Sequence, residues 1–589
     1  MQKGFFRRFF PGLVEVIAPI FECIFNITKK FLNRVDPDVL EEISNRKTLE
    51  IFRGSAKTVP AYTSFLKKSK IDFNEIRGIE DFDKLVPITT KENYIKRYSY
   101  EDRCRYGKLP EHGSIDESSG SSGIPTEWVR SVEENARLNK DAEFEYFYTY
   151  KPKNKNYILI GAWSLGAWAT GIRFAELVEK FSLVKSTGPD VEKIIDTLKI
   201  FGNKYNYLIA GYPPFLKTLI DEGKKKINWK DYKVDFVTGG EGFVEAWRDY
   251  MKKNLNNPII ISSYGCSDVD IGIAFETPLS TYIRKRCDKD KRLKKFLFVD
   301  DSRLPMIFQY DPIQHHIQNT TRRIGRKKVQ EFYITLLDKN VVSPKIKYNV
   351  RDEGGKYSFN EITNKLLEYD EDFINDFINQ GGIEEDILHL PFLYVYGRSD
   401  GTISIDGANV YPEQIDLSIK RDKELSKITS SFKIKLDYDS EKNVRFFIFF
   451  ELDKDVKFTR SLESKYHDVI VRNLCEINRD FEESYLKDKK VVDPVVEVYN
   501  FGEGPFVTEK ERIKHQYIIT GREVLNYVLL SIFLSVVSFI SIGNMTSYAI
   551  FENLESGKLA LLFFLVPLAV FIVVILIVYY IKLKKMKVI

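Results

Sequence analysis

The sequence predicts an α/β protein, built as a large α/β domain, a small α+β domain after it, and two transmembrane helices at the C-terminal end. Three observations carry this expectation. Between residues 157 and 263, short apolar runs ending in glycine or serine alternate with stretches of helical period. Beyond Gly401 the order becomes strand, turn, strand, helix, strand. Two uncharged apolar runs, Val524 to Gly543 and Leu559 to Ile581, each reach the roughly 20 residues a helix needs to cross hydrocarbon.

The 589 residues exceed what a single core buries, so more than one domain is expected. With 43% apolar and 14% aromatic residues the composition is globular rather than disordered. Lys and Arg number 89 against 84 Asp and Glu, and a net charge of +5 over this length gives no reason to expect a nucleic-acid partner. Cys23, Cys104, Cys266, Cys287 and Cys475 are scattered, with no C-x-x-C pair. That argues against a disulfide framework or a zinc site and for a reducing compartment. Cys266 is read as a small filler, because no His stands near it in sequence.

Residues 1–35 form an N-terminal amphipathic, membrane-proximal segment. Phe5 to Ile27 is apolar but interrupted by Pro11, Glu15, Pro19 and Glu22, with Lys3, Arg7 and Arg8 near its start. The acids and prolines argue against a cleaved signal peptide and for a helix lying on a membrane or packed on the protein. The large domain is placed at 36–399. Asp36 to Arg103 reads as helical and charged. Strands follow at Tyr157–Gly161, Tyr207–Gly211, Val234–Gly240 and Pro258–Ser263, and Gly188-Pro189 starts a helix over Asp190–Ile200. Alternation of strand, glycine turn and helix predicts parallel sheets. The basic stretch Arg284–Lys295 reads as a solvated loop, with a face for acidic lipid as the alternative.

The small domain is placed at 400–516. Its strands are expected at Lys433–Leu436 and Val444–Glu451, its helix at Leu462–Phe481 and its last strand at Val495–Tyr499. The transmembrane helices are placed at 523–543 and 559–581. Lys510, Arg512, Lys514 and Arg522 precede the pair and Lys582, Lys584, Lys585 and Lys587 follow it, whereas the connector Asn544–Lys558 holds one Lys and two Glu. The positive-inside rule then keeps both termini and the large preceding region in the cytoplasm, as a multi-pass membrane protein.

Six stretches are candidates for chemistry. Ser118-Ser119-Gly120-Ser121-Ser122-Gly123-Ile124-Pro125-Thr126 offers a flexible backbone and hydroxyls that can wrap phosphates. It is not a Walker loop, since no Lys follows the second Gly, and a plain Ser/Gly linker would look similar. Thr238-Gly239-Gly240-Glu241-Gly242 ends a strand, and its glycines allow a flat ring to approach the backbone or make a simple turn. Ser263-Tyr264-Gly265-Cys266-Ser267-Asp268 ends another, and Asp268 is a natural Mg²⁺ ligand or a solvated turn residue. Lys347-Tyr348-Asn349-Val350-Arg351-Asp352 offers a carboxylate for neutral hydroxyls. Gly397-Arg398-Ser399-Asp400 is followed by Gly407 and Asn409-Val410-Tyr411-Pro412, and Gly504–His515 is a charged stretch before the membrane runs.

Together, in this order, these stretches resemble those of the adenylate-forming superfamily of acyl-CoA synthetases and adenylation domains. The resemblance covers roughly residues 80 to 515 and is nearest to the phenylacetate–CoA ligase and capsule-biosynthesis (CapK-like) branch. It implies a large domain of stacked sheets and a small mobile domain. It implies that Ser118, Ser119, Gly120, Ser121, Ser122, Gly123 and Thr126 hold ATP phosphates. Gly240 and Glu241 would line the adenine pocket, with Tyr264 stacking on adenine beside Gly265. Asp268 stands where the family has Glu as its Mg²⁺ ligand and is one methylene shorter, which suits coordination through water. Asp352 would bind the ribose hydroxyls, with Arg351 in place of the family's Gly.

Arg398 would contact ribose or phosphate as a fixed donor fork, Asp400 would be the hinge, and Gly407 would lie in the thiol acceptor region. Trp163, Trp168 and Tyr212 fall where the family has its acyl pocket, although packing alone also explains them. The family's catalytic Lys has no Gly-Lys context here. Lys510 and Lys514 are both candidates, and one alignment puts Arg512 at that position. The implied activity is ATP- and Mg²⁺-dependent activation of a carboxylate as acyl-adenylate, then transfer to a thiol, either CoA or the phosphopantetheine of a carrier protein, at the cytoplasmic membrane face. One alternative is transfer of an acyl or aminoacyl group to a cell-envelope polysaccharide or lipid precursor. Another is a catalytically weakened adenylate-fold scaffold at the membrane.

Overall fold

The apolar runs of the large domain form strands because both faces of each are covered. The computed structural model describes residues 25–118, 126–151, 157–165, 169–298, 303–324, 327–399, 403–439 and 443–506. A hairpin of β1 (Gly113–Ser118) and β2 (Thr126–Ser131) comes first. The main sheet starts with β3 (Tyr157–Gly161), which pairs in parallel with β4 (Leu183–Ser186) on one side and β5 (Asn206–Ala210) on the other. β6 (Lys233–Gly239) and β7 (Ile260–Cys266) continue the parallel run. Next along the chain come β8 (Asp270–Phe275), β9 (Met306–Tyr310), β10 (His315–Ile324), β11 (Lys327–Leu336), β12 (Asp352–Tyr357) and β13 (Phe392–Arg398). The sheet order is β10-β11-β12-β13-β9-β8-β7-β6-β5-β3-β4, and from β7 to β10 each pairing is antiparallel.

The expectation of stacked parallel sheets is thereby corrected: one ladder of 11 strands is parallel at one end and antiparallel at the other. The antiparallel part joins strands far apart in sequence, such as Phe392 opposite Gln309, so no local alternation announces it.

Side chains alternate across the parallel strands. Ile158, Ile160, Tyr207, Ile209 and Phe236 enter one core, where the helices Val191–Phe201 and Pro213–Gly223 supply Ile194, Leu198, Leu216 and Ile220. Tyr157, Leu159, Leu208, Val237 and Ile261 enter the other, covered by Leu138, Tyr146 and Tyr150 of the helix Val132–Tyr150 and by the helix Ala169–Val178. Local chemistry fixes these helices. Ser131 and Glu134 form a capping box, Asp190 caps the next helix, and Gly202 ends it with φ 73°.

The described end of the N-terminal segment packs on the protein. Leu32 and Val35 join Leu388 and Leu390, the His389 N–H donates to the Leu32 carbonyl at 2.7 Å, and Lys29 pairs with Asp386. Residues 1–24 lie outside the described residues. The basic stretch Arg284–Lys295 is not a solvated loop. It spans two helices, Pro278–Lys289 and Lys291–Leu297, and Arg284 is buried, its Nε donating to the Pro305 carbonyl at 2.9 Å and its guanidinium pairing with Glu245. Its charge is matched inside the fold, which the run of basic residues concealed.

In the small domain, β14 (Ile403–Ile405) and β15 (Ala408–Val410) form a hairpin turned by Asp406 (φ 46°) and Gly407 (φ 83°), the two-residue turn that an Asp-Gly pair favours. β16 (Thr429–Tyr438), β17 (Val444–Leu452) and β18 (Val495–Tyr499) make a three-stranded sheet over the helix Arg460–Ile477. The expected helix Leu462–Phe481 is two helices. Asn478 ends the first and caps the second, Arg479–Lys487, accepting the Phe481 N–H at 3.0 Å. Among the described residues no helix is long and apolar enough to cross a membrane, and the runs at 523–543 and 559–581 lie outside them.

Candidate active site

Around Ser118 and Asp268, the residues expected at the phosphates, stands a lysine that sequence reasoning passed over. Thr89 is bridged to Tyr348: its N–H donates to the Lys347 carbonyl at 3.0 Å and its carbonyl accepts the Asn349 N–H at 2.9 Å. That short extended pairing sets Lys91 beside the Asp268 carboxylate at 3.1 Å and the Ser118 hydroxyl at 3.3 Å. The second Asp268 oxygen accepts the Tyr348 hydroxyl at 2.9 Å. Burial works against the charge on Lys91, yet Asp268 holds the ammonium above its ordinary value. Ser118 also accepts the Trp128 Nε1–H at 2.9 Å. Ser118 faces Thr126 across the end of the β1–β2 hairpin, so the predicted phosphate loop closes that hairpin. Ser119, Gly120, Ser121, Ser122 and Gly123 lie outside the described residues.

Three residues expected to contact the nucleoside come together. The Tyr264 hydroxyl donates to Asp352 at 2.5 Å, and Arg398 stands 3.7 Å from the same carboxylate because β12 and β13 place Asp352 opposite Arg398. Arg351 adopts φ 70°, which explains why the family motif carries glycine there. Gly265 is required by contact: a Cβ would lie 2.2 Å from the Ile271 carbonyl oxygen. Burial pushes the Cys266 thiol up to about 12, which suits a filler and not a nucleophile.

Of the residues expected at an acyl pocket, Trp163 and Tyr212 meet edge to face with centroids 4.7 Å apart. The two edges of the Tyr212 ring press on two glycines, so that a Cβ on either Gly240 (φ 76°) or Gly407 (φ 83°) would lie 2.7 Å from the ring. The Gly407 N–H donates to the Glu241 carboxylate at 2.9 Å. The predicted thiol acceptor region of the small domain thus rests on the predicted adenine and acyl walls of the large one. Burial pushes the Glu241 carboxyl up to about 7, and burial together with Glu241 raises Asp406. Trp168, Asp400, Lys510 and Lys514 lie outside the described residues. Among the described residues no three His, Cys, Asp or Glu side chains gather to hold a metal. A single carboxylate, Asp268, fits a Mg²⁺ carried mainly by phosphate oxygens.

No protein-family model and no curated protein matches this chain. A solved structure of 2-hydroxyisobutyryl-CoA ligase, in complex with 2-HIB-AMP and CoA in the thioesterification state, aligns over 84% of this chain and 93% of its own, with 13% identity and a TM-score of 0.55. That likeness shows a shared fold. The same ligase in the postadenylation state with R3-HIB-AMP aligns with 12% identity and a TM-score of 0.45, over 84% of this chain and 91% of its own. An amide bond synthetase from Marinactinospora thermotolerans aligns with 11% identity and a TM-score of 0.38, over 66% and 65%. In this fold the candidate groups lie at or just beyond the carboxyl ends of parallel strands, where open α/β sheets bind ligands. Trp163 follows β3, Tyr212 follows β5, Gly240 follows β6 and Tyr264 ends β7.

Lys91, Trp128 and Tyr348 were not singled out as site residues from the sequence. The one signal for Lys91 was the extended Val86-Pro87-Ile88-Thr89-Thr90 run inside a region otherwise of helical period.

Proposed function

We propose that this protein activates a carboxylic acid with ATP as an acyl-adenylate and passes the acyl group to a thiol, CoA or a carrier protein's phosphopantetheine. The observation that carries this reading is the convergence of Ser118, Lys91 and Asp268 with Tyr264, Asp352 and Arg398 from separate chain segments at the strand ends. In the first step a substrate carboxylate oxygen bonds to the α-phosphorus of ATP and the bond to pyrophosphate breaks. Little covalent work falls to the protein, so positioning and neutralisation of charge dominate. Lys91 and Ser118 hold phosphate oxygens, Asp352 takes the ribose hydroxyls, and Gly240 and Tyr264 bracket the adenine. Asp268 would hold Mg²⁺, which supplies charge neutralisation on the phosphates. Arg398 and the proposed lysine, Lys510 or Lys514, balance the charge at the α-phosphate.

In the second step the thiol sulfur bonds to the acyl carbon, the bond to AMP breaks, and the thiol proton leaves to water. The Gly407–Glu241 contact supports this step, since it brings the small domain against the acyl and adenine walls. The reading includes a membrane anchor: the runs at 523–543 and 559–581, with basic flanks, hold the catalytic region on the cytoplasmic face. ATP–pyrophosphate exchange by the full-length protein in detergent tests the first step. Exchange dependent on one class of acid is expected, and no exchange with any acid of a broad panel would sink the reading.

A further inference from the structure

The wall of the acyl pocket holds a carboxyl group that the proposed reaction does not use. Glu145 lies on the helix Val132–Tyr150, between Phe144 and Tyr146, on the side of the sheet that receives Val237 and Ile261. Strand alternation puts Gly239 on the same face as Val237, and Ser263 on the same face as Ile261. Gly239 and Ser263 are opposite each other in the β6–β7 register. The Ser263 hydroxyl donates to Glu145, and a Cβ on Gly239 would lie 3.9 Å from the Trp163 ring. Glu145, Ser263, Trp163 and Tyr212 therefore belong to one wall. Tyr146, Val237 and Ile261 around it are buried, whereas Glu145, Ser263 and Tyr212 stay partly accessible.

Several fully buried acids of this domain are matched by cations, whereas Glu241 and Glu134 are held by backbone N–H groups. Asp270 pairs with Arg137, Asp116 with Arg130, Glu276 with Arg248, and Glu245 with both Arg248 and Arg284. Among the described residues no cation pairs with Glu145, whose partner is the Ser263 hydroxyl. An unpaired carboxyl among aromatic rings is costly to retain for packing alone, and such local costs concentrate at functional sites. The rings nearby also favour a positive charge: Tyr212 and Phe174 both flank Trp163, with centroids 4.7 and 6.5 Å away. Burial pushes the Glu145 carboxyl up to about 7, so a cation brought beside it is what would restore its ionised form near neutral pH.

We propose that Glu145 is a specificity-determining residue of the acyl pocket and that the acid activated here carries a protonated amine, which Glu145 receives as its missing cation. This rests on the adenylation reading above and names its substrate class. The test is ATP–pyrophosphate exchange by the full-length protein with matched acids sharing one carbon skeleton, unsubstituted, hydroxyl-bearing or amine-bearing at the same carbon, for wild type and Glu145→Gln. Wild type is expected to favour the amine-bearing acid by at least about 100-fold in kcat/KM, because a site built around a buried polar group rejects the analogue that leaves it unpaired. In Glu145→Gln that ratio should collapse to within about tenfold, chiefly through a higher KM for the amine-bearing acid. A merely structural role would lower exchange with all three acids alike and leave the ratio intact.

Preference of the wild type for the unsubstituted or the hydroxyl-bearing acid overturns the proposal while leaving adenylation standing, and so does an unchanged ratio in the variant. Absence of exchange with every acid overturns both. If Glu145→Gln does not fold, the order of preference in the wild type decides alone.

Discussion

At the scale of residues, the site depends on charges matched in pairs. Lys91 and Asp268 come together across 177 positions of sequence, and each would leave the other as an uncompensated charge if it were removed. Lys91→Ala should therefore lower pyrophosphate exchange by about 100-fold or more, in the range found for loss of one fixed donor at a charged transition state. Tyr348→Phe removes only one hydroxyl from Asp268 and should cost about 1–3 kcal/mol, read as up to roughly a hundredfold in kcat/KM. An unchanged rate in Lys91→Ala would remove Lys91 from the phosphate site. Neither partner of this pair advertises it locally: Asp268 was legible from its strand-end motif, whereas Lys91 sat among many surface-type lysines. Glu145 was hidden likewise, because a helix dense in tyrosines and phenylalanines reads as core packing.

At the scale of elements, the Asp406–Gly407 hairpin is one of the contacts between the two domains, beside the Lys490–Glu222 ion pair. Gly407 is needed twice, for its positive φ and for its contact with Tyr212. Gly407→Ala should impair thioester formation at least about tenfold while changing pyrophosphate exchange far less, since strain of about 1–3 kcal/mol falls on the docked hairpin. Equal loss in both half-reactions would show that the hairpin serves adenylation too. The Glu241 carboxyl under this hairpin gives a pH dependence. Its value in the docked arrangement, about 7, lies above its ordinary value near 4.5, so docking favours the protonated form. Docking then carries no penalty below about 4.5, loses ground as pH rises through 7, and bears the full penalty above that. Asp406, raised in the same direction, adds to the effect. The rate of thioester formation in wild type, taken relative to Glu241→Gln, should fall between about pH 4.5 and 7 and level off above that; a flat ratio would contradict a role for Glu241 in docking.

The elements themselves were legible where the physics is local. Parallel strands ending in glycine showed as apolar runs because both faces are buried. The break at Asn478 was missed because a capping side chain keeps the helical period running on either side of it. The basic helices at Arg284–Lys295 were read as a loop because their partners, Glu245 and Asp370, come from distant segments.

At the scale of the whole molecule, the fold is shared with a CoA ligase at 13% identity, so conserved geometry rather than conserved sequence ties them together. The strands that carry the Thr238–Gly242 and Ser263–Asp268 stretches were readable from local pattern, whereas β1, β12 and β13 beside the other stretches were not. The antiparallel half of the sheet was not readable, since it pairs residues as far apart as Met306 and Val395, 89 positions in sequence. The proposed anchor predicts that the full-length protein sediments with membranes and resists extraction by salt, while a chain ending at residue 516 does not; salt-extractable full-length protein would argue against spanning helices.

The central claim is that the residues gathered at the strand ends make an acyl-adenylate. The measurement that tests it most directly is ATP–pyrophosphate exchange by the purified full-length protein, wild type beside Lys91→Ala, against a panel of carboxylic and amino acids. Exchange that requires one class of acid and falls by about 100-fold in Lys91→Ala is the predicted result. No exchange with any acid, or exchange indifferent to Lys91, would contradict the account.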